Sequence, residues 1–148
     1  DPLVQLEVGR YHAARAANES RPGPRAEEIK LARKHFEAST AEFATNPEAY
    51  ARLGSTYLLP GQEANKAIPL LEKAQALLPS SLEIELLRAR AEFALGRASS
   101  ARYLATSVAS RTLDSEVGRK ARQFLDEIGG SEARPPSPMR QPRTPAAP

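Results

Sequence analysis

The chain has 148 residues, 26% of them charged and 41% from the AVILMFWYC set, with a net charge of +3. That length suits one domain or a few small repeats. The absence of Cys excludes disulfides, thiol catalysis and Cys-ligated metal or iron–sulfur sites, and two histidines, His12 and His35, are too few for a three-His metal site.

Aromatics are 5% with no Trp, so the core must come mainly from Leu, Ala, Ile and Val. No apolar run approaches the roughly 20 residues of a membrane-spanning helix. The pI near 9.4 is a small excess. Residues 1–130 carry 18 basic and 17 acidic side chains, and the remaining excess sits in Arg134, Arg140 and Arg143. Signs alternate along Glu27, Glu28, Lys30, Arg33, Lys34 and Glu37. This is the pattern of solvated helix faces, without the basic stripe of a nucleic-acid binder.

The chain opens on Asp1-Pro2, without an initiator Met or a signal-peptide pattern, and runs straight into helical sequence. From there the apolar spacing is helical and no stretch alternates like a strand. Asn18–Pro24 reads as a loop. Asn46-Pro47-Glu48 reads as a helix start, with Asn as N-cap and Pro in the first turn. Pro60-Gly61, Pro79-Ser80-Ser81 and Gly96-Arg97 mark turns, and Leu113-Asp114-Ser115 begins a last helix. The predicted helices span about 2–17, 25–45, 47–59, 64–78, 82–95, 98–111 and 115–128. Pro69 falls inside the fourth, so that helix must start late or kink. Gly129-Gly130 reads as a breaker. Residues 131–148, with six prolines and little to bury, read as a disordered Pro/Arg-rich tail behind a domain at 1–130.

Catalytic patterns are missing. There is no HExxH, GxSxG or SxxK, and no Gly-rich phosphate loop. His12 and His35 with Glu7 would be a partial metal set, but they read better as packing residues. Glu27-Glu28 and Asp126-Glu127 are sequence neighbours, which point apart on a helix. The expectation is a protein that is not an enzyme and needs no metal or cofactor.

Alternate helices are self-similar. Ala32-x3-Phe36-x2-Ser39, Ala67-x3-Leu71-x2-Ala74 and Ala101-x3-Ala105-x2-Val108 recur at offsets of 35 and 34 residues. Their partner helices carry Val8-Gly9, Leu53-Gly54 and Arg88-Ala89. The best unit runs Tyr50-x2-Leu53-Gly54-x2-Tyr57, then Ala67-x3-Leu71-x2-Ala74, then Pro79. It resembles the tetratricopeptide repeat. The resemblance covers about residues 1–112 and implies an all-α fold. That fold would be an α-solenoid of about three antiparallel helix pairs, with 113–128 as a capping helix. It also implies that Gly54 and Ala67 meet where the third and fourth helices cross.

In that family the first helix of each unit lines a concave groove. Carried over, this marks Arg10, Arg52, Ser55, Leu59, Leu86, Arg90 and Phe93, with Glu48, Ala51 and Glu83 nearby. Arg10, Arg52 and Arg90 would make the groove weakly basic and suited to an acidic peptide segment. The reading is a non-catalytic protein–protein interaction module that holds a peptide or helix of a partner. The alternative is an accessory scaffold of a larger enzyme or of a secretion or assembly machine, its catalytic part encoded upstream. Pro135-Pro136-Ser137-Pro138-Met139-Arg140 fits a polyproline ligand pattern, but reads as a plain disordered end. Ala, Arg and Pro usage is compatible with a high-GC bacterium, and no compartment follows from it.

Asp1-Pro2 is equivalent to Asn46-Pro47, so a further unit is expected before it. Leu3, Leu6 and Tyr11 cannot all face the second helix. An apolar N-terminal flank and self-association through it are therefore expected.

Overall fold

A computed structural model describes residues 1–132, with side chains through 129. The predicted Pro-rich tail lies almost wholly outside the described residues. Within them there are seven α-helices and no strand. They are α1 (Pro2–Asn18), α2 (Pro22–Glu42), α3 (Pro47–Thr56), α4 (Ala67–Leu77), α5 (Leu82–Ala94), α6 (Ala98–Arg111) and α7 (Glu116–Glu132).

Capping chemistry sets most of the starts. Asp1 accepts from the Leu3 amide at 2.9 Å, Asn46 from Glu48 at 3.0 Å and Ser81 from Ile84 at 3.3 Å. Ser115 accepts from Gly118 at 3.1 Å. Each satisfies an amide that the helix leaves without an acceptor. Gly61, in the turn after α3, and Gly96, just past the end of α5, take φ of +78° and +79°, a left-handed conformation of little steric cost to glycine.

Five expected boundaries move. α2 begins at Pro22, not at 25, because Pro22 and Pro24 occupy the first turn, where no N–H is needed. It also ends at Glu42, three residues early. α3 stops at Thr56, three residues short, and the Tyr57 and Leu58 amides turn back to Gly54 and Ser55. α7 runs through Gly129-Gly130 to Glu132, so the pair does not act as the expected breaker. Glycine costs a helix only about 1 kcal/mol per residue. Pro69 is accommodated in the first turn of α4. A 3-10 turn at Ala64–Lys66 precedes α4, which leaves Pro69 third in that helix.

Consecutive helices pack as antiparallel pairs. In the first, His12 meets Glu28, Gln5 meets His35, and Ser39 donates to the Pro2 carbonyl at 2.8 Å. Each pair closes at a small residue. A Cβ on Gly9 would meet Phe36, and one on Gly54 would meet Leu71 and Leu70. In the third pair Ala89 and Ala105 share one buried cluster. The nearest atoms to Gly54 thus belong to Leu70 and Leu71, one turn beyond Ala67. The buried core forms clusters that bridge neighbouring pairs. Leu6, Ala32, Phe36, Ala49 and Leu53 form one cluster, and Leu86, Ala89, Ala101, Ala105, Val108, Ala121, Phe124 and Ile128 another.

Arginines join the pairs. Arg33 of α2 donates to Thr56 Oγ1 at 3.0 Å, the Thr56 carbonyl at 3.2 Å and Gln62 at 3.0 Å, with its guanidinium 3.7 Å above the Tyr57 ring. Arg122 of α7 donates to the carbonyls of Thr112, at 3.1 Å, and Leu113, at 2.5 Å, just past the end of α6. Within the third pair, Arg111 of α6 binds the buried Glu85 of α5.

Candidate functional site

α3, α5 and the start of α7 enclose a cleft of about 540 Å³. Its apolar lining comes from Ala51, Leu78, Ile84, Leu86, Leu87 and Val117. Ala51, Ile84 and Leu86 are buried, so this part of the cleft is held by the core itself. Charges stand around it: Glu48 and Arg52 from α3, Glu83 and Arg90 from α5, Glu116 and Lys120 from α7.

These charges are largely matched. Glu48 accepts from Arg52 at 3.3 Å, and Arg10 of α1 reaches it at 3.7 Å. Arg10 also pairs with Glu7 at 3.0 Å. Lys120 lies 3.1 Å from Glu116, and its hydrogen bond and positive charge hold the Glu116 carboxyl below its usual range. Two groups stand apart from this pairing. Arg90 forms no ion pair among the described residues and lies 5.9 Å from the centre of the Phe124 ring. Glu83 forms no ion pair among the described residues and accepts from the Ser81 hydroxyl at 3.3 Å. They lie seven residues apart on α5, about 10 Å along the helix axis.

Four of the seven expected site residues line this cleft: Arg52, Ser55, Leu86 and Arg90. Three do not. Arg10 belongs to α1 and is held by Glu7 and Glu48. Leu59 falls beyond the early end of α3. Phe93 turns toward α7, where its ring meets Phe124 edge-on at 5.9 Å between centroids. The expected basic groove is also corrected. Three carboxylates face three cations, and two of the three arginines that suggested it share Glu48. The contribution of α7 was not anticipated. Its sign in the sequence was Val117 and Lys120, three residues apart and so on one face of an amphipathic helix.

The two histidines form a separate group between α1 and α2. Their rings stack at 5.7 Å with an interplanar angle of 7°. His12 Nδ1 lies 2.7 Å from Glu28, which also receives Arg15 at 3.0 Å, and His35 Nδ1 lies 2.6 Å from Gln5. Burial first, then the nearby charges of His12 and Lys34, push the His35 pKa down. Among the described residues no three potential ligands converge as a metal site would require.

No protein-family model matches the chain, and no curated protein matches its sequence.

Proposed function

We propose that the chain is a non-catalytic protein–protein interaction module, an α-solenoid of tetratricopeptide type. In this reading it holds a peptide segment or helix of a partner in the cleft between α3, α5 and α7. The observation that carries the proposal is the cleft itself: an apolar lining built from core residues, framed by charges from three helices. Such a surface buries apolar side chains of a partner, while the charges fix its direction. What supports the tetratricopeptide reading is the contact of Gly9 with Phe36 and of Gly54 with Leu71, together with the burial of Ala89 and Ala105, the matching positions of the third pair, in one cluster.

Selection of peptides from a displayed random library, with the chain immobilised, tests this. Peptides that bind should lose affinity by about tenfold or more on Ser55→Arg, which fills the cleft, and on Arg90→Glu. They should be unaffected by Arg119→Glu, on the exposed face of α7. A library that yields no binder, or binders indifferent to Ser55→Arg and Arg90→Glu, overturns the reading.

A further inference from the structure

The apolar flank expected on α1 is present. Leu6 packs inside, but Leu3, Val4 and Tyr11 remain 60%, 56% and 57% exposed. On one helix this is an unusual concentration of large apolar surface facing outward. The other end of the helix order is different. α7 exposes Arg119, Gln123, Asp126 and Glu127. Head-to-tail stacking of copies would therefore set an apolar face on a charged one. A second α1 face offers an apolar match; Tyr103 and Leu113 are also exposed, on α6 and just past its end.

That face is also self-complementary. Val4, Tyr11 and Asn18 are spaced by seven residues, which places them on one stripe with about 20° of drift per heptad. Leu3 and Val4 project at one end. At the other, Tyr11, Ala14, Arg15, Asn18 and Glu19 surround a shallow hollow of about 320 Å³. A two-fold axis at Tyr11 relating antiparallel α1 helices sets Leu3 and Val4 of each copy over the hollow of the other. The same operation brings Glu7 of each copy level with Arg15 of the other. Arg15 gives Nε to Glu28 and Nη1 to the Tyr11 hydroxyl, and its fork keeps Nη2 for a further carboxylate.

We infer that α1 is the interface of an isologous homodimer, with antiparallel α1 helices crossing at Tyr11 and a second copy of this chain as the occupant of the flank. Symmetric self-complementary contacts close at two copies. This leaves the cleft of each copy free and does not depend on its proposed role.

Sedimentation equilibrium on the full chain tests it, over a range of roughly micromolar to millimolar protein. A monomer–dimer equilibrium is expected. Val4→Glu and Tyr11→Glu should each weaken it by about tenfold or more, with helical circular dichroism retained because both side chains are exposed. Gln123→Glu on α7 should leave it unchanged. The register has its own readout, since the chain has no native Cys. In a Val4→Cys, Asn18→Cys double variant the two thiols of one chain are about 21 Å apart along α1, too far to join. Mild oxidation should give covalent dimers. A strict monomer, open-ended growth, a dimer that ignores both α1 substitutions, or a folded double variant that does not cross-link overturns the inference.

Discussion

A Cβ placed on Gly9 would lie 2.5 Å from Cε1 of Phe36, whose side chain is fully buried between α1 and α2. No real Cβ contact is that short, so Gly9 is what lets α1 lie against the ring. At the equivalent place in the next pair, Gly54 faces the smaller Leu71 at 3.1 Å. Gly9→Ala gains about 1 kcal/mol of helix propensity, while the overpacking it creates costs about 1–3 kcal/mol. A net loss of stability is expected in urea melts. Phe36→Leu should reverse much of the loss when added to Gly9→Ala, while destabilising the wild type. Gly54→Ala should be milder, because Leu71 can shift where a ring cannot. Additive effects of Gly9→Ala and Phe36→Leu would show that the two positions are not coupled.

Arg33 closes α3 from outside that helix. It supplies three hydrogen bonds near the end of α3 and covers Tyr57. Hydrogen bonds to a charged group contribute about 1.5–3 kcal/mol, and partial exposure reduces this. Arg33→Ala should cost about 2 kcal/mol in denaturant titrations. Arg33→Lys should recover little, because an ammonium cannot span Thr56 and Gln62 while stacking on the ring. Full recovery by lysine would mean that charge alone matters there.

His35 should make the first helix pair sensitive to acid. The folded pKa of His35 lies below its ordinary value of 6.5, so the folded state favours the neutral ring. The stability this gives is present above about pH 6.5 and is lost as pH falls through that value toward the folded pKa. The groups around the ring are the stacked His12, the hydrogen-bonded Gln5 and the neighbouring Lys34, with Glu28 and Arg15 beyond His12. Melting temperature should therefore drop between pH 7 and pH 5. His35→Gln, which does not titrate, should flatten that slope. An unchanged slope would place the acid sensitivity elsewhere.

Helix positions were legible because local chemistry decides them. Asn46 is the cap the sequence marked, and Ser81 and Ser115 cap the helices that follow breaks it marked. The recurring Ala-x3-large spacing marked Phe36 and Leu71, both now fully buried. The errors came where a distant partner intervenes. α3 ends at Thr56, where Pro60 has no N–H to give the Thr56 carbonyl and Arg33, 23 residues away, supplies a donor instead. Leu59 was lost from the cleft for the same reason. The charge of the cleft was misread because counting arginines along first helices does not show that Arg10 and Arg52 converge on Glu48. Phe93 was assigned to the groove by position along α5, but the edge of Phe124 draws its ring toward α7. That contact joins helices 31 residues apart in sequence.

Phe124 links the stability of the chain to the shape of its cleft. It is 7% exposed in the cluster of Leu86, Ala89, Ala105 and Ala121, takes the Phe93 ring edge-on and lies beneath Arg90. The same helix supplies Glu116, Val117 and Lys120 to the cleft. Phe124→Ala removes a core side chain whose loss typically costs about 3–5 kcal/mol. The loss should not be uniform. α7 packs chiefly on α6 and is the last helix in order, so it can open without unfolding the pairs before it. In native-state hydrogen exchange, amides of α7 should lose protection before those of α2 and α4. The wall of the cleft would then be mobile while α3 and α5 still hold the other side. Phe124→Leu, which keeps most of the volume, should restore protection but not the seat of Arg90. Equal loss of protection across all helices would show that α7 is not a separate unit of unfolding and that the cleft is as rigid as the core.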